Sequence, residues 1–540
     1  MFSLFDQATT RYWHYIPAAF VIYRILHQLF LKPLILSPLK RVSGPSLGHP
    51  IFGQFLNILT SEPGKLQRKW AEQYGTVVRT MGPFGVDQMM FLNPSALQRI
   101  LVSDWLEYPR PDPLRHILGA TAGYGLLTVT GNEHKLMRRT MSPAFSLSNL
   151  MAQTDMYYPP LEGLIQILHK YIKSESDPSK GTEILVYDWI SKVTLDIICA
   201  TAFGYHPDSV HKDDNELSSA YHGLINLQTG QNMVLFAILM MIPGFPKFIR
   251  TRFAHKYRKL IFRGSMLAPL ATLVSSMNKI MAISRQMLDE KLQEADVKDS
   301  QSKKDIMSLL VRVRITETGN AYKMTDQDLM EQVLTFLGAG HETNTSGISW
   351  TLWLLAAHPE YQTRLREELL PVIEANPRPN HRTLKELTLL DGIIMESLRL
   401  LPPVPLTFRR SAKDNSIDGN FIPKGSLLSI PIRVINTYYE IWGPDAQEFR
   451  PERWSNLPST YNFTFSFSSF IAGPHSCIGR TMAIMEMKVI IAGLIAHFSF
   501  ERAYEGQVAR PTAAITMKPE DNLPLRIKAI GKLPIPTEVC

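Results

Sequence analysis

The chain has 540 residues, of which 45% are hydrophobic and 20% are charged, and this composition excludes a disordered, collagen-like or disulfide-scaffold protein. Its three cysteines, Cys199, Cys477 and Cys540, cannot form a disulfide framework, which indicates a reducing, cytosol-facing environment. The 57 Lys and Arg residues outnumber the 49 Asp and Glu residues, and the net charge of +8 suits an anionic membrane or an acidic protein partner. The sequence contains no nucleic-acid-binding motif, so we expect no nucleic acid partner.

The first predicted element is an apolar stretch at residues 12–36. A helix that spans a bilayer needs about 20 apolar residues, so the stretch predicts a tilted signal-anchor helix of roughly Tyr12–Phe30. A helix that lies on the membrane surface is the alternative, and the sequence leaves both open. Lys32, Lys40 and Arg41 follow the apolar run, which predicts that the remainder of the chain faces the cytosol.

A proline-rich segment follows at residues 33–50, with prolines at Pro33, Pro38, Pro45 and Pro50. Proline fixes φ and disfavours helix, so we predict a stiff linker here, with a simple surface loop as the alternative. The predicted organisation is therefore a membrane anchor over 1–32, a linker over 33–50 and one globular domain over 51–540.

The globular domain is predicted to be rich in helices, with short strands at 76–82, 88–92 and 426–432. This pattern predicts a mainly α fold with small β-sheets, an α+β architecture. The sequence has no Gly-rich phosphate loop and no dinucleotide fingerprint, so any reducing equivalents must come from another protein.

A second apolar segment, Val234–Ile242, is too short to span a bilayer. Seven basic residues follow it closely: Lys247, Arg250, Arg252, Lys256, Arg258, Lys259 and Arg263. An apolar patch beside cationic side chains suits docking on a membrane surface. A buried helix followed by a solvated basic helix is the alternative reading of the same pattern.

A long helix is predicted over 325–357, because Thr325 is a good N-cap with Asp328 three residues on. Its middle reads Ala-Gly-His-Glu-Thr at residues 339–343. Small residues inside a helix cost stability, so we expect them to make room for bound molecules. A kinked core helix with a polar bend is the alternative.

The strongest local signal is the segment 470–479, Phe-Ile-Ala-Gly-Pro-His-Ser-Cys-Ile-Gly, which precedes an apolar helical pattern. Cys477 therefore lies just before or at a helix N-terminus, where the helix dipole and free N–H groups favour a thiolate. Gly473 and Gly479 allow a tight turn and the close approach of a flat ligand, against which Phe470 can pack. A buried structural cysteine is the alternative.

Taken together with Glu396-Ser397-Leu398-Arg399 and the segment 131–139, these motifs resemble the cytochrome P450 family over most of the chain. The pattern Phe-x-x-Gly-x-His-x-Cys-x-Gly matches that family's haem-binding loop at every defined position. The resemblance implies a haem b cofactor with Cys477 as the axial thiolate ligand of the iron, a ligand that favours O–O cleavage. It also implies that Phe470 and Gly473 pack against the haem.

The same resemblance implies several residues that bind the haem propionates. His475 would hydrogen-bond one propionate, and His134 and Arg138, four apart on one helix face, could both donate to one. Arg410 is the further propionate candidate, and Arg409 is its rival.

In the long helix, Glu342 and Thr343 match the acid and alcohol with which this family delivers protons during oxygen activation. Asn344 stands at the family's second hydroxyl position, which is a mild departure from the family pattern. The hydroxyl of the next residue, Thr345, can partly compensate for it. The resemblance further implies a buried structural network of Glu396, Arg399 and Arg453.

The implied activity is a haem-thiolate monooxygenase that inserts one atom of O2 into a lipophilic substrate, with a terpenoid or other secondary metabolite favoured. Electrons would come from NADPH-cytochrome P450 reductase, with cytochrome b5 as a further donor. The alternatives are a haem-thiolate isomerase or dehydratase, a fatty-acid or sterol hydroxylase, and a haem-binding sensor or carrier. The expected location is the endoplasmic reticulum membrane, with a single N-terminal anchor and a cytosolic catalytic domain.

Overall fold

The structure, a computed structural model, describes residues 15–212, 214–227, 230–295, 304–316, 322–512, 515–531 and 533–536. Helices dominate it, which confirms the mainly α fold class. The α-helices are α1 Tyr15–Leu26, α2 Phe55–Thr60, α3 Lys65–Tyr74, α4 Pro94–Gln98, α5 Asp112–Ala122, α6 Gly131–Met141, α7 Leu147–Met151, α8 Tyr158–Ser174, α9 Val186–Phe203, α10 Glu216–Asn226, α11 Gly230–Met240, α12 Phe245–Phe248, α13 Arg252–Lys256, α14 Arg258–Ile261, α15 Ala268–Ala295, α16 Ile306–Thr316, α17 Asp326–Ala357, α18 Pro359–Ala375, α19 His381–Glu386, α20 Thr388–Leu400, α21 Ile432–Ile435, α22 Tyr439–Trp442 and α23 Arg480–His497.

The strands form three small sheets. They are β1 Val77–Met81, β2 Asp87–Phe91, β3 Thr182–Leu185, β4 Thr407–Arg410, β5 Asn415–Ile417, β6 Asn420–Ile422, β7 Leu427–Ile430, β8 Phe498–Arg502 and β9 Pro524–Ala529. The largest sheet has the order β1-β2-β7-β4, in which β2 and β7 pair in parallel and the other neighbours are antiparallel. The second sheet is β3-β9-β8, and β5 and β6 form a hairpin. The three predicted strands are confirmed as β1, β2 and β7.

The described chain separates into two compact units. The first comprises 1–111 and 406–431, and the second comprises 112–405 and 432–540. The first unit contains the β1-β2-β7-β4 sheet, to which the chain returns after a long excursion. Local sequence patterns could not predict this return of the chain to the first unit. The boundaries of the anchor, linker and globular domain at residues 32 and 50 stay predictions.

In the first unit, α1 continues directly into a π-helix, His27–Leu36. The combined helix Tyr15–Leu36 has 22 residues and is almost fully exposed, and it is the one helix in the described part of the chain that is long and apolar enough to cross a membrane. The helix therefore extends past Pro33, which we had assigned to a non-helical linker. The carbonyl of Pro33 accepts a hydrogen bond of 2.7 Å from Arg79 Nη2, which holds this turn against the sheet.

The rest of the predicted linker also packs onto the sheet. Leu39 is buried, and Ser37 Oγ donates to Asp87 Oδ2 at 2.8 Å. A Cβ at Gly44 would lie 1.9 Å from the carbonyl oxygen of Arg79, so only glycine fits this close approach. The segment is thus part of the first unit rather than a free spacer, because its backbone and apolar side chains find partners there.

The second unit is built around α17, which packs against α9, α20 and α23. The capping box predicted at its start is present: Thr325 Oγ1 accepts from the backbone N–H of Asp328, and the Asp328 carboxylate accepts from the N–H of Thr325. The helix ends at Ala357, as the sequence predicted, and the next helix, α18, begins at Pro359.

The apolar segment Val234–Ile242 lies in α11 and the turn after it. Met233, Phe236 and Met240 are buried, whereas Met241 and Ile242 at its end are exposed. The exposed apolar side chains continue beyond the helix as Phe253, Tyr257, Leu260 and Met266. We call Met241, Ile242, Phe253, Tyr257, Leu260, Met266 and the basic residues among them the basic-apolar surface.

Candidate active site

The loop before α23 folds tightly around Cys477. The backbone N–H of Cys477 donates to the carbonyl of Phe470 at 2.9 Å, and that of Ser476 donates to Gly473 at 2.9 Å. Gly473 has φ +77, a left-handed conformation that favours glycine. Helix α23 begins at Arg480, so Cys477 lies three residues before its first turn.

The Cys477 thiol has exposed surface although protein atoms surround it. A side chain with both properties faces an internal recess rather than bulk water. Burial raises the pKa of this thiol, while the N–H of Gly479 and the charges of Arg138 and Arg480 act to lower it. The effect of burial on the pKa of Cys477 is therefore larger than that of the helix N-terminus, from which the sequence predicted a thiolate. Coordination to a metal would be needed to remove the proton.

Helix α6 places two predicted residues against this loop. The ring centroids of His134 and His475 are 3.9 Å apart, and His134 is buried. Arg138 donates to Ser476 twice, from Nη1 to the carbonyl oxygen at 2.5 Å and from Nη2 to Oγ at 3.3 Å. Burial lowers the pKa of Arg138, and the nearby Cys477 opposes this shift. The structure thus brings His134, Arg138, His475 and Cys477 together.

Phe470 is half-buried at the start of the same loop. The Arg480 guanidinium lies 5.5 Å from the centroid of its ring, and the centroid of Phe467 lies 6.3 Å away. Both neighbours help to hold the ring at the start of the cysteine loop.

The middle of α17 is partly accessible within an otherwise buried helix. Ala339, Glu342 and Thr343 all have accessible surface, whereas the turns before and after them are buried. Thr343 Oγ1 donates to the carbonyl of Ala339 at 2.6 Å, and Glu342 Oε1 accepts from Thr516 Oγ1. The acid and the alcohol therefore lie at an accessible stretch between two buried parts of the helix.

The glycines of this stretch have a different role from the predicted one. A Cβ at Gly338 would lie 2.8 Å from Ala122 Cβ, and a Cβ at Gly340 would lie 2.7 Å from Ile198 Cδ1. These glycines allow α5 and α9 to pack closely against α17, so helix packing explains them without a bound molecule.

The remaining polar side chains of this turn serve packing between helices. His341 is fully buried, and its Nε2 lies 2.9 Å from Ser191 Oγ and 3.0 Å from the Ser191 carbonyl oxygen on α9. Burial lowers the pKa of His341 to about 4, so the ring is neutral at physiological pH. Thr345 Oγ1 lies 2.7 Å from Thr194 Oγ1 on the same neighbouring helix. His341 and Thr345 thus join α17 to α9.

In the first unit, β4 distinguishes the two candidate arginines. Arg409 is buried, and its Nη1 donates to Thr407 Oγ1 at 3.1 Å and to the Phe408 carbonyl at 2.8 Å, whereas Arg410 is exposed. Burial, with a smaller effect of Arg110, lowers the pKa of Arg409 well below its ordinary value. A buried guanidinium whose hydrogen bonds go to neutral oxygens would be stabilised by an anion.

The predicted Glu396 network is present and is part of the core. Glu396 accepts from Arg399 Nε at 2.7 Å and from Arg453 Nε at 3.3 Å, and all three side chains are buried. Trp454 Nε1 and the N–H of Arg450 also donate to it, at 3.1 and 3.0 Å. The sequence did not predict these two donors, because they depend on how the segment after α22 folds back.

These features fit an iron-porphyrin. Its iron would take the recessed Cys477 thiol as a soft ligand. Its flat ring would pack against the accessible stretch of α17 and the ring of Phe470. Its carboxylates would suit a cationic side chain such as Arg138 on α6.

Sequence comparisons agree with this interpretation. The family described as Cytochrome P450 matches residues 42–525 of the chain. Cytochrome P450 monooxygenase 205 of Postia placenta is 32% identical, over 91% of this chain and 93% of its own length. Cytochrome P450 monooxygenase sphH of Aspergillus fumigatus is 29% identical, over 93% of this chain and 90% of its own length. Ganoderic acid synthetase of Ganoderma lucidum is 27% identical, over 95% of this chain and 97% of its own length.

Proposed function

Because this chain belongs to the cytochrome P450 family and is a monooxygenase with a haem-thiolate iron cofactor, we propose that it oxygenates a lipophilic secondary metabolite, with a terpenoid as the favoured class. NADPH-cytochrome P450 reductase would supply the electrons, with cytochrome b5 as a further donor. The accessible Glu342 and Thr343 in the middle of a buried helix carry this proposal, since a monooxygenase needs protons at the oxygen-binding side.

The cofactor in this proposal is haem b, and Cys477 would hold its iron through the thiolate. Haem ligated by a thiolate supplies the reductive activation of O2. The chain's own part is to hold the thiol in its recess, where the Gly479 N–H and the charges of Arg138 and Arg480 stabilise the thiolate form. Phe470 and Gly473 would border the ring, since both belong to the tight turn that carries Cys477.

We propose that His134, Arg138 and His475 bind the haem propionates, with Arg410 as the further candidate and Arg409 as its rival. The first three are supported by their contacts around the cysteine loop. On β4, Arg409 is buried and Arg410 is exposed. The exposed Arg410 stays a prediction that the substitution of each arginine can test.

Glu342 and Thr343 would pass protons toward the oxygen-binding side. The Thr343 hydroxyl donates to the Ala339 carbonyl, so its oxygen lone pairs remain available to accept a hydrogen bond from a neighbouring acid or water. The Glu342 carboxylate accepts from Thr516 Oγ1, which orients it within the accessible stretch. General acid–base groups need such positions near the reacting atoms.

The substrate class is inferred from the relatives and from membrane attachment. One relative, ganoderic acid synthetase, is named after a natural product, and other relatives are fungal monooxygenases. A membrane-attached enzyme meets lipophilic molecules at high local concentration, which favours a substrate such as a terpenoid over a polar one. A fatty-acid or sterol hydroxylase is the second candidate on the same grounds.

We place the protein in the endoplasmic reticulum membrane through the helix Tyr15–Leu36, with the remainder of the chain in the cytosol. The helix is long and apolar enough to span, and Lys40 and Arg41 follow it. The basic-apolar surface would add a second, interfacial contact, because it combines exposed Leu260 and Met266 with cationic neighbours.

The test is expression in microsomes that contain NADPH-cytochrome P450 reductase, with lipophilic metabolites as substrates. The proposal expects product that requires NADPH and O2 and that carries one oxygen atom from labelled O2. Product formed without NADPH would instead identify an isomerase or dehydratase. Substrate binding without any turnover would identify a sensor or carrier.

A further inference from the structure

A series of aromatic rings connects the cysteine loop with the surface of the second unit. The Phe467 ring contacts the rings of Phe470 and Trp454, with centroid distances of 6.3 and 5.2 Å. The Trp454 ring in turn lies 6.4 Å from that of Tyr461, which is half-buried. Phe463, which is 84% exposed, lies 5.3 Å beyond Tyr461. We call Phe470, Phe467, Trp454 and Tyr461 the aromatic path.

A second tryptophan belongs to the same cluster but has different electrostatic surroundings. Trp454 Nε1 donates to Glu396 Oε2 at 3.1 Å, so a carboxylate lies against the edge of its indole. Trp442 lies 5.7 Å from Trp454 and 5.1 Å from Tyr461. The Arg399 guanidinium lies 4.9 Å from the centroid of the Trp442 ring. Within the described part of the chain, the buried Nε1 of Trp442 has no hydrogen-bond acceptor.

These surroundings decide which indole gives up an electron more easily. Removal of an electron leaves the indole positively charged, and an adjacent carboxylate stabilises that charge whereas an adjacent guanidinium destabilises it. Trp454 is therefore easier to oxidise than Trp442, although both lie in one cluster. Tyr461 has solvent access, so its phenol can release a proton to water when it is oxidised.

From these contacts we propose that the aromatic path carries electrons from a reductant in solution to the haem site, so that the enzyme reduces hydrogen peroxide to water. Ascorbate and small thiols belong to the class of reductant that this activity requires. Uncoupled turnover, in which NADPH reduces O2 to hydrogen peroxide, supplies the oxidant. The inference rests on the proposed haem site at Cys477, and it adds a protective activity to the oxygenation of substrate.

The electrons and protons of this reaction balance. One hydrogen peroxide becomes two water molecules, and two molecules of reductant each lose one electron and one proton. Each electron passes from the Trp454 indole to the haem site, and Tyr461 then returns an electron to the indole while its phenol proton moves to water. The reductant restores Tyr461 with one electron, and the phenol regains a proton from water.

The first test locates the oxidised side chains. Full-length haem-loaded enzyme is treated with hydrogen peroxide, with and without ascorbate, and its peptides are analysed by mass spectrometry. We expect oxidised Trp454 and Tyr461 together with unmodified Trp442, and we expect ascorbate to suppress both modifications. Equal oxidation of Trp442 and Trp454, or no oxidation of Trp454 and Tyr461, would overturn the aromatic path.

The second test removes the phenol and keeps the ring. In Tyr461→Phe we expect ascorbate-dependent consumption of hydrogen peroxide to fall several-fold and the haem Soret band to bleach several-fold faster. Tyr171→Phe is the matched control, since it removes a phenol from another tyrosine–tryptophan contact, 5.7 Å from Trp189 on α9. It should behave as wild type. Wild-type peroxide consumption and haem lifetime in Tyr461→Phe would overturn the path.

The two levels of the proposal fail differently. Wild-type enzyme that lacks both a thiolate-type haem spectrum and NADPH-dependent turnover would refute the proposed function. A normal spectrum and normal turnover, with Tyr461→Phe as resistant to peroxide as wild type, would refute the aromatic path alone.

Discussion

Asn344 on α17 donates a hydrogen bond of 2.5 Å to Glu486 Oε2 on α23. Both side chains are buried, and Glu486 lies nine residues after Cys477, so this contact ties the helix of the acid and the alcohol to the helix that follows the cysteine loop. The asparagine at the family's second hydroxyl position thus has a structural partner of its own.

The Glu486 carboxyl gives the first prediction, which concerns stability and pH. Burial raises the pKa of Glu486 to about 8. Between the unfolded value of about 4.3 and this value, the unfolded chain releases the proton while the folded chain keeps it, so Glu486 destabilises the fold increasingly as pH rises. We expect the Tm of Glu486→Gln, relative to wild type, to rise between pH 5 and pH 8, with a free-energy effect of up to a few kcal/mol.

Glutamine keeps an oxygen that can accept from Asn344, so the substitution changes the ionisation and little else. Glu501→Gln, at an exposed carboxylate paired with Lys528, is the control and should show no such trend. A Glu486→Gln difference that stays constant across this pH range would contradict a raised pKa.

A second prediction contrasts a buried and an exposed ion pair. Glu396→Ala leaves the guanidinium groups of Arg399 and Arg453 buried without their carboxylate, so we expect a loss of about 3–5 kcal/mol in the free energy of unfolding. Arg364→Ala breaks an ion pair with Glu452 in which both side chains are about half exposed, and it should cost less than about 1 kcal/mol. Denaturant unfolding checks both, and equal losses would contradict the structural role of Glu396.

The sequence motifs predicted the local geometry of the candidate site where its residues lie close together in the chain. The cysteine loop, the capped helix α17 and the pairing of Glu396 with Arg399 lie within short segments whose spacing sets their geometry. Residues contributed by distant segments could not be predicted in the same way. Glu486 meets Asn344 from a different helix, and Thr516 contacts Glu342 from a segment far along the chain.

Which of two neighbouring residues is buried could be determined only from the structure. Arg409 and Arg410 differ only in which face of β4 each side chain takes, and the pairing of β4 with β7 buries Arg409. Likewise, Pro33 is predicted to end the helix because proline has no N–H to donate. The chain instead stays helical there as a π-helix, and Arg79 donates a hydrogen bond to the Pro33 carbonyl.

The third prediction tests the iron ligand. Cys477→Ser should abolish the reduced carbon-monoxide Soret band that is characteristic of thiolate-ligated haem, because a hydroxyl is a far weaker donor than a thiolate. Cys199→Ala removes a buried cysteine outside the loop and should keep the band. An unchanged spectrum in Cys477→Ser would refute the ligand assignment.

The fourth prediction concerns the alcohol on α17. Thr343→Ala should keep haem and substrate binding but lower product per NADPH by roughly tenfold and raise hydrogen peroxide, because proton delivery loses its hydroxyl. Thr351→Ala is the matched control on the same helix, since Thr351 Oγ1 makes the same type of bond to the Gly347 carbonyl one turn back. Coupling at the wild-type level in Thr343→Ala would show that this hydroxyl is not needed.

The fifth prediction concerns membrane attachment. Deleting residues 1–32 removes most of the apolar helix but none of the residues around Cys477, so membrane association should weaken while the haem spectrum persists. The basic-apolar surface should still hold part of the truncated protein on anionic liposomes, because exposed Leu260 and Met266 can insert beside cationic Lys256 and Lys259.

Sedimentation with anionic liposomes at low and high salt measures this residual binding, which should fall as salt screens the charges. Charge reversal in the truncated protein, Lys256→Glu with Lys259→Glu, should remove most of it at low salt. Both lysines are exposed, so the substitutions should not disturb the core. A truncated protein that stays in solution at both salt concentrations would exclude the second membrane contact, and loss of the haem spectrum on truncation would contradict the boundary at residue 32.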